Sequence, residues 1–344
     1  MKTTSIFLVK NGKSEFAFTS KEYELPELKE DEFLIESEAF GLNYAEVMAR
    51  NGLYQDCPKK PCVLGYENVG KIIKSGNNKD DKFLGKRVVA FCRFGGYSKH
   101  VIAKKTAIAE INDMPVNHAL SLCTQGVTAY YMSHYISPIH NGDKVLIHAA
   151  TGGVGNLLIQ LAKIQGAIVF AKVGGEKKET IAKKLGADYT LNYKKEDYFK
   201  KITAQLNKQK LDCIYNPVGG STFKKDFSLL QSGGKLFLFG ASEIKPSGWK
   251  LWNVLRFIKK MGLLIPVQLI GSSKSIIGVN MLRIADEKPF ILETCLKEMI
   301  VLYKAGKISP LPGYSFKSNE IAEAHQFLES GKSTGKITVE WEKS

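Results

Sequence analysis

The chain has no Cys-x-x-Cys pair and no tight Cys/His cluster, so the close spacing of a structural zinc clip is excluded. Its six cysteines, Cys57, Cys62, Cys92, Cys123, Cys213 and Cys295, are scattered and read as reduced thiols. Long apolar runs are also missing. The longest, Met261 to Gly271, carries Pro266 and Gln268 and is followed by Lys274, short of the roughly 18 to 20 apolar residues of a membrane span. It reads as buried sheet or as a subunit surface. The first apolar run, Ile6 to Val9, is too brief for the core of a secretory signal and is closed by Lys10, which points to the cytosol. There is no low-complexity tract. With 44% hydrophobic and 24% charged residues, 344 residues suffice for one large or two ordinary domains with real cores.

Acidic residues are in short supply: 34 against 49 basic ones leave a net charge of +15. A nucleic-acid or anionic-membrane partner is one reading of that excess. The lysines, however, come as dispersed pairs (Lys59-Lys60, Lys177-Lys178, Lys183-Lys184, Lys200-Lys201, Lys259-Lys260) without interleaved aromatics, which fits a solvated surface.

From Asp143 the pattern becomes a repeating strand, turn and helix rhythm, the mark of a parallel sheet wound with helices. Lys144 to Ala150 is a buried strand, and Asn156 to Gln165 is a helix with Leu157, Leu158, Leu161 and Ile164 along one face. Further strands are expected at 167–173, 188–191, 211–215 and 234–239, with helices between them at 176–185, 197–207 and 223–230. The first 120 residues show short alternating segments and glycine-rich turns, with a helix at Tyr44 to Arg50, and read as a β-rich domain. The tail adds helices at 289–305 and 319–329 and a closing strand, Lys336 to Trp341. The expected division is therefore 1–125, an inserted doubly wound domain at 126–265, and a return at 266–344.

Between the first strand and its helix lies Ala150-Thr151-Gly152-Gly153-Val154-Gly155. Small residues there let backbone amides approach a pyrophosphate while the helix N-terminus faces its charge, so Gly152, Gly153, Val154 and Gly155 are expected to hold a dinucleotide. Enzymes specific for NAD usually carry an acid about 20 residues on, for the ribose 2′-hydroxyl. Here that place holds Gly174, with Lys178 nearby and Tyr193 as a flanking aromatic. Cations suit a 2′-phosphate, which favours NADPH. Glu176 speaks against this, but it falls in the first turn of a helix, where an acid suits the dipole.

With Gly41-Leu42-Asn43-Tyr44, Gly52-Leu53-Tyr54, Leu64-Gly65-Tyr66-Glu67-Asn68-Val69-Gly70, Gln125-Gly126-Val127-Thr128-Ala129-Tyr130 and Asn216-Pro217-Val218-Gly219-Gly220, the sequence resembles the quinone oxidoreductase branch of the medium-chain dehydrogenase/reductase superfamily. Within that branch Met48 to Tyr54 is most similar to the vesicle amine transport protein homologues. The resemblance implies a GroES-like catalytic domain, an inserted Rossmann domain, NADPH between them and a homodimer, for which Leu263 to Ile277 is the candidate face. It further implies Asn43 and Thr128 at the nicotinamide end, Gly152 and Val154 at the pyrophosphate, and Lys178, Tyr193 and Lys332 as further contacts to the cofactor.

Zinc-dependent members of the superfamily have a Cys and a His where this chain has Asn43 and Tyr66, so no metal is expected. The resemblance implies hydride transfer from NADPH to a quinone or α,β-unsaturated carbonyl, with Tyr54 as hydrogen-bond donor and Asn43 beside it. Many bacterial-type relatives carry a further Tyr at the place of Met48. The alternative is an NADPH-binding protein with vestigial catalysis whose basic surface binds RNA or anionic membrane.

Overall fold

A computed structural model of the chain describes residues 1–244 and 250–342, with only the backbone of Lys250 and Leu251. Two compact units are present: residues 1–127 together with 281–344, and residues 128–280.

The first unit begins with β1 (Lys2–Leu8), β2 (Phe18–Glu24), β3 (Glu32–Leu42), β4 (Cys62–Val63), β5 (Glu67–Ser75), β6 (Arg87–Phe91), β7 (His100–Lys104) and β8 (Ile108–Glu110). The short helices α1 (Tyr44–Arg50) and α2 (Val116–Leu120) accompany them, and α3 (Val127–Tyr130) leads into the second unit. β2, β1 and β4 make a small antiparallel sheet. β3, eleven residues long, is the centre of the larger sheet, pairing with both β5 and β7. One core packs Leu8, Phe40, Leu42, Leu64 and Tyr97. Another packs Phe33, Ile35, Ile72 and Val88.

The second unit runs β9 (Lys144–His148), α4 (Gly153–Ile164), β10 (Ile168–Val173), α5 (Glu176–Lys184), β11 (Tyr189–Asn192), α6 (Tyr198–Leu206), β12 (Leu211–Asn216), α7 (Phe223–Leu229), β13 (Leu230–Leu238), α8 (Lys250–Met261), α9 (Pro266–Ser272) and β14 (Ser275–Gly278). Its strands are parallel in the order β11-β10-β9-β12-β13-β14. That is the doubly wound order in which the crossovers reverse direction between the first and fourth strands. Near-continuous apolar strands such as Val145-Leu146-Ile147 are fully buried, as a sheet covered on both faces requires. Leu157, Leu158 and Leu161 of α4 are buried as expected. Ile164 is not: the inward stripe runs instead through Ile159 and Ala162, and Ile164 lies at the exposed helix end.

Two features of the tail differ from the sequence reading. The inserted domain extends past residue 265 to Asn280, because β14 continues the sheet beside β13. The stretch Met261 to Gly271 is not sheet. Gly262, at φ 77°, breaks away from α8, and Pro266 starts α9 at a position where its missing N–H costs nothing. Leu263 is 88% exposed and Ile270 77%.

The chain then returns to the first unit through α10 (Met281–Glu287), α11 (Pro289–Lys304), β15 (Tyr314–Lys317), α12 (Ile321–Glu329) and β16 (Ile337–Glu340). β16 pairs antiparallel with β3, setting Ile337 opposite Leu42 and Thr338 opposite Gly41. A closing strand thus delivers residue 336 to the end of β3, where α1 begins. Among the described residues no helix is long and apolar enough to cross a membrane.

Candidate functional site

The glycine turn follows β9, on the side where the strand order reverses. Ala149 takes the left-handed conformation at φ 49°, and its carbonyl accepts the Gly152 N–H at 2.8 Å, which tightens the turn. Gly152 is the residue before the first helical turn of α4, and no side chain caps that end. The amides of Gly153, Val154 and Gly155 therefore form the helix's orphan-donor end, an anion cradle. Gly155 has no alternative: a Cβ there would lie 2.4 Å from the Ala149 carbonyl oxygen. These residues fit a dinucleotide's pyrophosphate.

At the end of β10 the structure brings Gly174 and Tyr193 together. A Cβ on Gly174 would sit 2.7 Å from the Tyr193 hydroxyl. Lys178 lies in the first turn of α5, half-buried. Burial first, and Lys194 second, hold its pKa below that of an ordinary lysine. Glu176 is exposed and paired with Lys195, so its charge is already met outside the turn. Beside Tyr193 opens a cavity of about 330 Å³ lined by Lys172, Glu196, Asp197, Tyr198, Ser221, Thr222 and Lys225.

In the first unit, Asn43 precedes α1 and its backbone N–H donates to the Glu46 carboxylate, a capping arrangement that starts the helix. Its side chain is committed as well. Nδ2 donates to Glu67 Oε1 at 2.9 Å, and Oδ1 accepts from Lys336 Nζ at 3.0 Å. Lys336 also pairs with Glu67, whose other oxygen accepts the Thr124 N–H at 2.8 Å. Glu67 and Lys336 are both fully buried. Glu46 is too, and burial, then Glu67, push its carboxyl well above the usual range. A carboxylate, an ammonium and an amide thus occupy the neighbourhood of residue 43.

Tyr54 is half-buried, its ring centroid 6.3 Å from that of Tyr66 at a T-shaped angle. Burial, then Tyr54, push the Tyr66 hydroxyl up, so Tyr66 stays protonated at any physiological pH. Met48 is buried in α1. Thr128 opens the second unit, buried in α3, while Lys332 is exposed in the loop after α12.

Two residues of these clusters, Lys336 and Lys172, are not picked out by any motif in the sequence. The signal existed in both places. A lysine within Gly335-Lys336-Ile-Thr-Val and another inside Ile168-Val-Phe-Ala-Lys172-Val173 interrupt runs that read as buried strand, and a charge there must find partners.

A glycine turn at the switch point of a doubly wound sheet, joined in one chain to a β-rich unit closed by its own C-terminal strand, defines a dehydrogenase/reductase of two units. The family comparisons agree. Residues 29–134 match the alcohol dehydrogenase GroES-like domain, and residues 153–294 match the zinc-binding dehydrogenase family. The synaptic vesicle membrane protein VAT-1 homolog of Danio rerio is 28% identical over 317 residues, covering 91% of this chain and 65% of that protein's length. A probable quinone oxidoreductase of Schizosaccharomyces pombe is 29% identical over 324 residues, 92% of this chain and 91% of that one. The crystal structure of Escherichia coli quinone oxidoreductase complexed with NADPH is 26% identical, with a TM-score of 0.85 over 98% of this chain and 99% of that one. The chain belongs to the medium-chain dehydrogenase/reductase superfamily, in its zinc-independent quinone oxidoreductase branch, and is an oxidoreductase of the medium-chain dehydrogenase/reductase type.

Proposed function

We propose that this protein reduces a quinone or an α,β-unsaturated carbonyl with NADPH, as a cytosolic homodimer without a catalytic metal. The observation that carries the reading is the nucleotide end: an uncapped helix N-terminus behind Gly152 to Gly155, with Gly174 in place of an acid and lysines around the adenosine side. When bound, NADPH supplies the hydride. The protein has to position the acceptor and meet the negative charge that develops on its oxygen.

Tyr54 is the donor for that oxygen: a half-buried phenol whose ring is held edge-on by Tyr66. Asn43 presents an amide fixed by Glu67 on one side and Lys336 on the other, at the nicotinamide end by family resemblance. Its orientation is set before any ligand arrives, which is what preorganised stabilisation requires. Thr128, Lys178, Tyr193 and Lys332 complete the proposed cofactor contacts.

The test is loss of nicotinamide absorbance across a panel of quinones and enones with purified protein. Turnover is expected, with Tyr54→Phe lowering kcat about 100-fold while NADPH affinity stays unchanged. Tight NADPH binding with no turnover on any acceptor would overturn the catalytic half. That outcome supports the second reading, a nucleotide-binding protein with vestigial catalysis, which is favoured by the buried Met48 standing where many relatives offer a second phenol. Salt-sensitive retention on RNA or acidic vesicles would then identify its partner.

A further inference from the structure

We propose that Lys172 is a second cation for the adenosine 2′-phosphate, set in the wall of the adenosine cavity, and that it makes recognition of the phosphorylated nucleotide depend on pH. The proposal rests on the NADPH reading and adds to it a residue and a regulation.

Lys172 pairs in register with His148 of β9, so both side chains leave the sheet on the face covered by α6 and α7. The residue is only 7% exposed, yet it lines the cavity. Its Nζ lies 3.8 Å from the centroid of the Tyr198 ring, 5.4 Å from that of Tyr193 and 3.3 Å from His148 Nδ1. Burial keeps His148 neutral, and its Nε2 sits 3.0 Å from Asp226 Oδ2. With the imidazole proton toward the carboxylate, Nδ1 accepts and Lys172 donates.

The acids around this ammonium are all engaged elsewhere. Asp226 accepts the Tyr198 hydroxyl at 2.9 Å and the Asn216 amide at 2.6 Å. Asp197 pairs with Lys225 at 3.2 Å and caps α6. Glu196 pairs with Lys201 at 2.5 Å, and Glu243 holds Lys260 and Ser221. Among the described residues Lys172 has no carboxylate within ion-pair distance, only a neutral imidazole and two aromatic faces. A cation kept in a low-dielectric wall without a counter-ion is costly unless an anion arrives to meet it. Burial already lowers its pKa to about 8, against the pull of Asp226.

The geometry selects the anion. Tyr193 lies against Gly174, the place of the missing ribose acid, and its ring centroid is also 5.4 Å from Lys172 Nζ. The 2′-phosphate expected near Gly174 and Lys178 is thus within reach of Lys172, whereas an unphosphorylated ribose offers it no charge. The ammonium is the binding form, so affinity for the phosphate is full near neutral pH and declines as pH rises past about 8, more slowly once a bound phosphate holds the proton on. The phosphate's own second ionisation, near pH 6, lies below that window.

The experiment measures dissociation constants of NADPH, NADH, 2′,5′-ADP and 5′-AMP by calorimetry from about pH 7 to 9.5, a window that spans the ammonium's titration. Wild-type affinity for the two 2′-phosphorylated ligands should fall about 10-fold or more across this range while NADH and 5′-AMP stay level. K172M should weaken the phosphorylated ligands about 10- to 100-fold, spare the others and flatten the pH response. K178M should weaken binding but keep the slope, and K172R should restore affinity while moving the fall beyond the range. If K172M does not fold, K172Q serves in its place. Equal losses for NADPH and NADH, or an unchanged slope in K172M, would overturn the proposal. Failure of the wild type to bind NADPH at all would overturn the cofactor reading instead.

Discussion

Lys336 and Glu67 meet with no solvent on either side, pressed against the backbone of Gly41, where a Cβ would sit 2.4 Å from each of their side chains. Removing one partner of such a pair leaves the other charge buried and uncompensated, at a cost of about 3–5 kcal/mol. Lys336→Met should therefore lower stability by that amount in urea unfolding, and K336M combined with Glu67→Gln should recover much of it. Equal losses in the single and double variants would show that the pair acts only through packing. A second residue, His325, is buried between Tyr97 and Phe18, and burial, then Arg50, hold its pKa well below a free imidazole. With the folded value depressed, the unfolded state binds the extra proton. The stability it contributes is complete above the unfolded pKa of about 6.5 and is lost as pH falls below it, at up to about 1.4 kcal/mol per pH unit for each such histidine. His148 adds to the same slope. Urea unfolding at pH 7, 6 and 5 should show the fall, and His325→Phe should make it shallower.

The glycine turn is where an element's geometry decides function. The Gly155 Cα lies so close to the end of β9 that a methyl group has no room, so Gly155→Ala must push the start of α4 away from the strand. NADPH should then bind more than about tenfold weaker while the circular dichroism spectrum is retained; an unchanged dissociation constant would mean that the helix end does not hold the pyrophosphate. The sheet and its helices were legible in the sequence because parallel strands buried on both faces leave uninterrupted apolar runs, bounded here by glycines such as Gly166 and Gly186. The tail was not. Met261 to Gly271 has the composition of a core strand, but Pro266 and the left-handed Gly262 turn it into a helix junction facing outward. At the site, the turn and Gly174 could be read from local spacing. Lys336 could not, because its partners Asn43 and Glu67 stand 293 and 269 residues away.

At the scale of the whole molecule, the exposed α9 face and β14 ask for a partner. β14 is an edge strand, and beside it Leu263, Val267 and Ile270 are open to solvent. Edges of this kind are covered in proteins that remain soluble, and two-fold association of sheets through them is the simplest cover. Sedimentation should show a dimer, and Leu263→Glu with Ile270→Glu should shift it to monomer with NADPH binding intact. A monomeric wild type would count against this face.

The first unit is built from two segments that flank the second along the sequence, and the residue that neutralises Glu67 immediately precedes β16. A ribosome therefore releases the nucleotide-binding unit as a complete sheet while the first unit still lacks β16 and holds an unmatched carboxylate beside Gly41. Assembly order follows from this. The inserted unit is free to fold first, and the N-terminal strands stay provisional until residue 336 emerges. A chain stopped short of that residue should give protease-resistant fragments from residues 128–280 and none from residues 1–127.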